Sequence, residues 1–295
     1  MNPQEPKIGI LIYDKSHHDL NNNSLFAKTI IDNAKKQNLD IKLVFTKDLK
    51  LIINNNNFSL EIDNIEINNI KFAINRTKNY YISNHIEKMG IRVFNYAHVT
   101  NICNNKALTH QAINSFDKFS VKSIATYIEN KDSFCINKYQ YNYPYVVKSL
   151  AGHGGTEVYK ADNPNELSKI ATEFKDYSFL IQQLSSNSGK DVRAYIIGNQ
   201  IHTTILRTND VSFKSNFSLG GEANIYHLQP HEKDLINKIL EYTHFDFVGI
   251  DFILDENNNF LFNEIEDVAG CRMLYSNDVD IIPSFISHIK TTLNK

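Results

Sequence analysis

The sequence lacks the features that mark membrane, secreted and nucleic-acid-binding proteins. No apolar run in its 295 residues approaches the ~20 residues that a transmembrane helix requires. The first residues lack the charged, apolar and small-residue pattern of a signal peptide. The formal net charge of -2 leaves no basic footprint, so electrostatics indicate neither nucleic acid nor an anionic membrane as a partner.

Cysteine is also scarce. The three cysteines, Cys103, Cys135 and Cys271, are odd in number and widely spaced, which fits neither a disulfide framework nor a zinc-ligand spacing. A reducing cytoplasm is the simplest compartment for such thiols. With 42% hydrophobic and 22% charged residues, the composition is that of an ordinary soluble globular protein. The length allows two or three modest hydrophobic cores.

What the sequence does contain is an acidic segment near its C-terminus. Val248–Leu254 and Phe260–Glu266 have the composition of two strands, and an Asn-rich turn joins them. Because side chains alternate between the two faces of a strand, Glu264 and Glu266 share a face. The segment therefore predicts a hairpin with an acidic face.

A third carboxylate joins this face in one register. If the loop is Glu256–Asn259 and Asp255 pairs with Phe260, then Asp251 lies opposite Glu264. Like charges opposite each other destabilise a sheet, so we expect a cation among them. Hard oxygen ligands at this density suit Mg²⁺. The alternative is that the carboxylates are only the solvent face of an edge hairpin.

The first hundred residues alternate between strand and helix patterns. Strands are predicted at Lys7–Tyr13 and Phe72–Asn75, and Ser83–Met89 is predicted to be a helix with Ser83 as its N-cap. A further helix is predicted over Asn101–Ile113. This alternation predicts a small, mostly parallel open sheet over residues 1–97, an α/β architecture.

The remainder of the chain has longer strands and fewer helices, which predicts an α+β architecture beyond about residue 115. Asp191–Ile197 and Gln200–Leu206 are predicted to form a hairpin across Gly198–Asn199, because a Gly-Asn pair is a strong turn signal. We therefore expect the whole chain to combine α/β and α+β parts.

A glycine-rich segment follows a buried strand that ends at Lys148. Gly152, Gly154 and Gly155 can turn backbone N–H groups towards an anion at little steric cost. A lysine at the strand end adds a point charge that suits phosphate. His153 is read as a loop residue and not as a catalyst. The segment is neither a P-loop nor a dinucleotide fingerprint, and taken alone it could be a simple turn.

Two further stretches are polar enough to hold a ligand. Arg207, Lys214, Asn216 and the Gly220–Gly221 pair would suit an oxyanion-rich molecule, although an exposed loop would look nearly the same. Arg272 lies six residues past the acidic hairpin, where a guanidinium could hold a carboxylate. A structural salt bridge is an equal alternative for Arg272.

The order of these pieces is more specific than any one of them. A cation in a helix, a strand-end lysine with a glycine-rich flap, a polar strand, an Arg/Asn loop and an acid-x-acid pair follow one another. This order resembles the ATP-grasp superfamily, and most closely the carboxylate–amine ligases of the ribosomal-protein-S6-modifying and lysine-biosynthesis type. The motifs FAINRT, GIRVFN and ICNNKALTHQ carry the likeness from about Phe72 onward.

The resemblance implies an ATP-grasp fold with three parts. These are an N-terminal domain with a small, Rossmann-like parallel sheet (residues 1–97), a small α+β subdomain with the flap (98–185) and a C-terminal α+β subdomain with the metal site (186–295). The two subdomains would clasp ATP, and Mg²⁺ would be bound with it, two ions being expected and Mn²⁺ an alternative.

The resemblance also implies a role for each matching residue. The nucleotide would be bound by Lys106 and Lys148 at the α- and β-phosphates, Gly152, Gly154 and Gly155 in the flap, Gln182, Gln183 and Leu184 near adenine and ribose, and Asp191. The reacting groups would meet Lys148, Arg207 and Asn216, with Arg193, Arg207 and Arg272 on the substrate side. The metal ligands would be Asp251, Glu264 and Glu266.

Three departures from that family pattern are visible. Gln183 stands where a glutamate is usual for the ribose, Glu266 stands where asparagine is common in the metal motif, and Glu266–Arg272 replaces the usual Asn-x-Ser-Pro-Gly ending. The last departure falls near the acceptor, so the resemblance does not name the substrates.

The expected function is ATP-dependent ligation of an amino-acid-like carboxylate and an amine through an acyl phosphate. Small-molecule substrates are the expected partners, and relatives of this type are often homo-oligomers. Two alternatives stay open at this point. One is an ATP-binding regulatory or scaffold protein without turnover, and the other is phosphoryl transfer to a non-carboxylate acceptor.

Overall fold

A computed structural model describes residues 5–19, 23–115, 121–139, 143–152, 157–209 and 221–295. Its strands are β1 (Lys7–Tyr13), β2 (Leu39–Phe45), β3 (Leu49–Asn54), β4 (Asn57–Ile62), β5 (Ile65–Glu66), β6 (Phe72–Asn75), β7 (Arg92–Phe94), β8 (Thr126–Asn130), β9 (Tyr145–Ser149), β10 (Val158–Ala161), β11 (Ser178–Gln183), β12 (Lys190–Ile197), β13 (Gln200–Thr208), β14 (Glu222–Ile225), β15 (Phe247–Leu254) and β16 (Phe260–Glu266). Its helices are α1 (Lys15–His18), α2 (Asn23–Lys36), α3 (Tyr80–Lys88), α4 (Ala97–Cys103), α5 (Lys106–Asn114), α6 (Pro164–Glu173), α7 (Pro230–Leu240), α8 (Arg272–Tyr275) and α9 (Ile282–Leu293). Within the described ranges, none of these helices combines the length and apolar composition that a bilayer crossing needs.

The N-terminal part contains the predicted parallel sheet. Its strand order is β2-β1-β6-β7, and each neighbouring pair is parallel. The chain leaves β1 towards β2 on one side and leaves β6 towards β7 on the other, so the strand order turns between β1 and β6. In an open sheet of this kind, the crevice outside the carboxyl ends of the strands at that point is where ligands bind.

The segment between β2 and β6 folds separately from the parallel sheet. The sequence pattern of Leu49–Ile70 predicts a pair of short strands, and the segment forms a three-stranded antiparallel sheet in the order β3-β4-β5. Asn55 and Asn56 have positive φ angles at the first turn, a conformation that Asn tolerates better than most residues. The prediction missed the third strand because β5 is only two residues long.

Helix α3 begins earlier than the sequence predicted. The side chain of Asn79, not of Ser83, is the N-cap and accepts a hydrogen bond from the backbone N–H of Tyr81 at 2.9 Å. Ser83 lies buried inside the helix and accepts a hydrogen bond from Asn75 at 2.8 Å. The predicted end is confirmed, because Gly90 follows with a φ of +78°.

The single helix predicted over Asn101–Ile113 is wrong, because the chain forms two helices there, α4 and α5. The side chain of Asn105 accepts hydrogen bonds from the backbone N–H groups of Ala107 and Leu108 at 3.0 and 3.2 Å. Asn therefore acts as an N-cap that starts a new helix. As a result Lys106 is the first residue of α5.

Two antiparallel sheets form the rest of the chain. The smaller sheet has the order β10-β9-β11-β8 and the larger has the order β14-β13-β12-β15-β16. The predicted turn of the β12–β13 hairpin is confirmed, because Gly198 and Asn199 both have positive φ angles, 56° and 59°. One hydrophobic core contains residues of β1 and α2 together with residues of β12 and α9. The boundaries at residues 97 and 185 stay a prediction.

Candidate functional site

The acidic hairpin consists of β15 and β16, and β15 also pairs with β12. Asp251 lies opposite Glu264, as predicted, and Gly249 lies opposite Glu266. Asp251 is only 1% exposed, and both glutamates are half-buried. The carboxylates therefore do not form the solvent face of an edge hairpin.

The turn of this hairpin differs from the prediction by one residue. Leu254, and not Asp255, pairs with Phe260. The Asp255 carboxylate instead accepts hydrogen bonds from turn residues, including the N–H of Asn259 at 2.8 Å. The register then shifts at Asn263, which has no partner in the ladder and forms a bulge. This bulge brings Asp251 opposite Glu264 despite the different turn.

Two arginines provide the cations that the clustered carboxylates require. Arg193 lies opposite Asp251 in the β12–β15 ladder, and its Nε and one terminal nitrogen bond the two Asp251 oxygens at 2.7 Å each. The other terminal nitrogen of Arg193 lies 2.7 Å from Glu266. Arg207 bonds Asp191 and also reaches an Asp251 oxygen at 2.8 Å.

These contacts decide the ionisation of Asp251. Burial alone would raise the pKa of this carboxyl, but the Arg193 and Arg207 guanidinium groups outweigh it and hold the pKa well below its usual range. Asp191, Arg193 and Arg207, which were predicted for the site separately, thus form one ion-pair network with Asp251. The cross-strand register places them together, and residue spacing along the chain does not show this.

The two predicted lysines contact strand β16 of the acidic hairpin. Lys106 reaches Glu264 at 3.1 Å and also donates a hydrogen bond to the Gly152 carbonyl. Lys148 at the end of β9 donates to the side chain of Asn263 at 3.0 Å. Lys106 therefore links the carboxylate face to Gly152, the first residue of the glycine-rich segment.

For both Lys148 and Glu264, burial and the oppositely charged neighbours shift the pKa in opposite directions. Burial lowers the pKa of Lys148 to about 8, although Glu264 opposes this effect. Burial favours the protonated form of Glu264, but Lys106 and Lys148 overcome it and keep the pKa of Glu264 below its usual value. The site thus holds ionised carboxylates beside cations that are poorly solvated.

The predicted adenine and ribose residues follow at the end of β11. Gln182 is buried and donates to Thr126 at 2.8 Å, and its amide nitrogen lies 3.1 Å from a ring nitrogen of His110. Gln183 is exposed. The backbone N–H of Leu184 donates to the Pro144 carbonyl at 3.1 Å. The contacts of these residues with a nucleotide stay a prediction.

The other predicted site residues are Gly154, Gly155, Asn216 and Arg272. Gly154, Gly155 and Asn216 lie outside the described residues, as do His153, Lys214 and Gly220. Arg272 begins α8 and is half-buried. Its side chain makes no hydrogen bond or ion pair with the residues that the structure describes. A role for Arg272 in substrate binding therefore stays a prediction.

Sequence reasoning missed two groups that face this site. Lys78, which follows β6 in the N-terminal part, is half-buried. Its burial lowers its pKa, while the charges of Glu266 and Glu264 oppose that effect. His110 packs against Phe262 with ring centroids 5.5 Å apart, and burial lowers its pKa to about 4. The position of Lys78 just after a parallel strand was the signal that could have identified it.

The predicted metal ligands lie on the paired strands β15 and β16, and protein cations contact all three. Asp251, Glu264 and Glu266 are not among the described groups whose ligand atoms all lie within 4.8 Å of one another; the group that is comprises His244, Asp246 and His288. The arginine between Asp251 and Glu266, and the lysine on Glu264, account for this separation. The donor set of carboxylate oxygens fits Mg²⁺, which would have to displace these cations from part of their contacts.

The chain is similar to a known protein family and to known proteins along most of its length. The family model of the RimK-like ATP-grasp domain matches residues 103–289. The uncharacterised protein MG011 of Mycoplasma genitalium is 27% identical to this chain over 293 residues, which cover 97% of this chain and 95% of MG011. The α-aminoadipate–LysW ligase LysX of Saccharolobus solfataricus is 26% identical over 250 residues, 82% of this chain and 88% of LysX.

A solved structure shares the fold at lower sequence identity. The ATP-grasp ligase PsnB, complexed with a phosphomimetic variant of a minimal precursor, Mg and ADP, superposes with a TM-score of 0.71 and 12% identity. The superposition covers 98% of this chain and 99% of PsnB. The mixed parallel and antiparallel sheets described above are therefore those of an ATP-grasp fold, as expected.

Proposed function

Because the chain belongs to the RimK-like ATP-grasp domain family, we propose that it joins a carboxylate to an amine through an acyl phosphate at the expense of ATP. ATP-dependent formation of a carbon–nitrogen bond is the activity that the family and the LysX relative support. The finer parts of the proposal are the intermediate, the residue roles and the class of substrate.

The observation that supports the proposal is the bridge that Lys106 forms between the acidic hairpin and the glycine-rich segment. Lys106 touches Glu264 and the Gly152 carbonyl at once, and Lys148 lies one residue away on Asn263. Two lysines beside ionised carboxylates form a site for phosphate and divalent metal together. Neither the lysines alone nor the carboxylates alone would distinguish a nucleotide site from a structural salt bridge.

The residues divide between binding the nucleotide and holding the metal. Lys106 and Lys148 would hold the α- and β-phosphates, and Asp251, Glu264 and Glu266 would hold Mg²⁺. Mg²⁺ supplies charge neutralisation on the phosphates when it is bound. Mg²⁺ would replace the protein cations that contact the carboxylates. The phosphates would replace the protein groups that contact the two lysines. Two ions, or Mn²⁺ in place of Mg²⁺, are part of the proposal.

The proposed reaction has two steps. A carboxylate oxygen attacks the γ-phosphorus of ATP, the bond to the bridging oxygen breaks, and ADP leaves. The amine then attacks the acyl carbon, phosphate leaves with its bonding electrons, and the nitrogen loses a proton to give the amide. Arg207 and Asn216 would face the transferred phosphoryl group, and positioning plus electrostatic stabilisation would supply the catalysis.

The reaction needs no covalent protein nucleophile. Cys103 and Cys271 are buried, and burial raises the pKa of both thiols, so neither supplies a thiolate at neutral pH. The cysteines form no disulfide, and we place the reaction in the reducing cytoplasm.

The substrate class is proposed from the chemistry of the relatives. LysX is named for α-aminoadipate and LysW, and PsnB is complexed with a precursor. We propose an amino-acid-like carboxylate and an amine as the substrates, with a free metabolite or the end of a peptide as the acceptor. The three-part domain division at residues 97 and 185 belongs to the same proposal.

The test is the replacement of Glu264, with Glu256 as the matched control. Glu256 is an exposed glutamate in the turn of the same hairpin. Products formed from ATP, Mg²⁺ and a pooled mixture of amino acids and metabolites would first be identified by mass spectrometry. We then expect Glu264→Gln to lower amine-dependent ADP release by about 100-fold or more, and Glu256→Gln to leave it unchanged. Wild-type activity in Glu264→Gln would remove the metal assignment, and ATP binding without any turnover would favour a scaffold.

A further inference from the structure

A second cationic site lies at the crevice of the N-terminal parallel sheet. Tyr13 is the last residue of β1, and Arg76 directly follows β6. These strands are the two between which the strand order turns, which is the place where open α/β sheets bind ligands. The proposed phosphate and metal residues come from α5 and from the two antiparallel sheets, and none of them lies on β1 or β6.

Arg76 is buried there without a counterion. It is 4% exposed, and its guanidinium carbon lies 4.8 Å from the ring centroid of Phe26 and 5.8 Å from that of Phe247. One terminal nitrogen donates to the Ala269 carbonyl at 2.9 Å, but Nε has no partner. No carboxylate of the described residues forms an ion pair with Arg76. A buried charge of this kind is costly unless a partner compensates it.

Two phenol groups next to Arg76 are also unpartnered. Tyr13 is fully buried, and the hydroxyl groups of Tyr13 and Tyr275 have no hydrogen-bond partner in the described part of the chain. Burial raises the pKa of Tyr13, and the charge of Arg76 acts against it. Burial likewise raises the pKa of Tyr275, which also feels Arg76 and Tyr13. Arg76 and the two phenols therefore lie near one another, and among the described residues no acceptor bonds Arg76 Nε or either hydroxyl.

The nearest acid does not serve as the missing partner. The Asp267 carboxylate accepts a hydrogen bond from Asn95 at 2.5 Å. Burial raises the pKa of Asp267 to about 6, although Asn95 and Arg76 oppose this effect, so Asp267 is mostly ionised at pH 7. Its contact is with Asn95, and it forms no ion pair with Arg76.

We propose that Arg76, with Tyr13 and Tyr275, binds the non-reacting carboxylate of an amino-acid or peptide substrate. One guanidinium and two neutral hydroxyl donors match a singly charged, planar carboxylate better than a phosphate, for which the lysines of the other site are suited. The inference rests on the proposed ligase function and adds to it a residue that selects the substrate.

The place of the subsite agrees with a positioning role. Arg76 donates to the Ala269 carbonyl, and a Cβ placed on Gly249 would lie 3.3 Å from Ala269 and 3.2 Å from Arg193, so the Ala269 segment lies beside both the subsite and the ion-pair network. A carboxylate held by a guanidinium is also a poorer nucleophile. Arg76 would therefore hold the substrate by the carboxylate that does not react and leave its other group free to reach the phosphates.

The test compares free acids with their amides. Thermal unfolding of the full chain would be followed with Mg²⁺, a non-hydrolysable ATP analogue and either the acid or the C-terminal amide of glutamate, lysine, L-alanine, D-alanine and the dipeptide Ala-Ala. We expect at least one acid to raise the wild-type Tm by about 3–8 °C and its amide to raise it much less. In Arg76→Gln the acid should lose this advantage, and Arg76→Lys should retain part of it.

A second arginine supplies the matched control. Arg92, on the neighbouring strand β7, already pairs with both oxygens of Asp246 at 2.7 Å. Arg92→Gln should therefore lower the Tm of the free protein and keep the preference for the acid. Arg76→Gln should leave that Tm unchanged or raise it, because it removes an uncompensated buried charge.

Two outcomes would overturn the subsite. One is a wild type that responds equally to every acid and its amide. The other is an Arg76→Gln variant that still prefers the acid over its amide. The proposed ligase function fails separately, since ADP release reports turnover and the Tm shift reports binding.

Discussion

Lys148 is expected to set an upper pH limit for the use of ATP. Its ammonium group donates to the Asn263 side chain at 3.0 Å, and burial lowers its pKa to about 8 against the attraction of Glu264. Only the protonated lysine attracts phosphate. Activity should therefore be full below this pKa and fall as the pH rises through it.

The size of the effect follows from the titration of one group. With a pKa of about 8, the protonated fraction of Lys148 falls from roughly nine-tenths at pH 7 to roughly one-tenth at pH 9. Because kcat/KM reports the pKa values of the free enzyme, kcat/KM for ATP should fall about tenfold over this interval. The assay is the initial rate of ADP release at limiting ATP from pH 6.5 to 9.5.

Two variants should move this limit in a known direction. Asn263→Asp places a carboxylate beside the ammonium group, and an opposite charge at such a distance raises a lysine pKa by about 1–3 units. The fall in activity should then move to about pH 9 or above. Lys148→Arg should show no fall in this range, because a guanidinium stays charged. An exposed lysine on β10, Lys160, provides the control Lys160→Arg, which should match the wild type. A fall near pH 8 that is the same in all four proteins would refute the assignment.

Other predictions concern stability, nucleotide choice and the thiols. Asp246 is fully buried and contacts His244, His288 and Arg92. Burial alone would raise its pKa, but these partners lower it to about 2, so the charge of Asp246 should contribute about 2–3 kcal/mol to stability. That contribution is full above about pH 5 and is lost as the pH falls towards 2. Asp246→Asn should therefore lower the free energy of unfolding measured in urea at pH 7. The difference in unfolding free energy between the variant and the wild type should shrink below pH 4. Gln183→Glu should tighten ATP binding in calorimetry by about threefold to tenfold if Gln183 faces the ribose; unchanged affinity would contradict that placement. Cys271→Ser should leave ADP release within about twofold of wild type, since no thiolate is needed, and a loss beyond that in a folded variant would contradict the mechanism.

The neutralisation of the acidic hairpin shows how a correct sequence argument can find a different physical solution. The like charges of Asp251, Glu264 and Glu266 predicted a cation between them. In the structure Arg193 bridges Asp251 and Glu266, while Lys106 binds Glu264. The metal that the pattern suggested would enter a site that the protein already keeps neutral, so metal binding and release need not leave repelling charges exposed.

The sequence by itself determined the local features of this protein. Alternation along a strand put Glu264 and Glu266 on one face, Gly198 and Asn199 specified a hairpin turn, and the apolar run at Lys7–Tyr13 specified a buried strand. Each of these depends on neighbouring residues alone. The order of motifs was also sufficient to identify the superfamily.

Only the tertiary structure decided which distant groups meet. Asn79 and Asn105 became N-caps because their side chains reached free backbone N–H groups, a choice that helix periodicity does not show. Arg193 and Arg207 surround Asp251 because β12 lies between β13 and β15. Arg76 is left buried without a counterion because the ends of β1 and β6 meet residues almost two hundred positions later, at Ala269. Spacing along a chain fixes which face a side chain occupies, but strand order and register decide what lies opposite it.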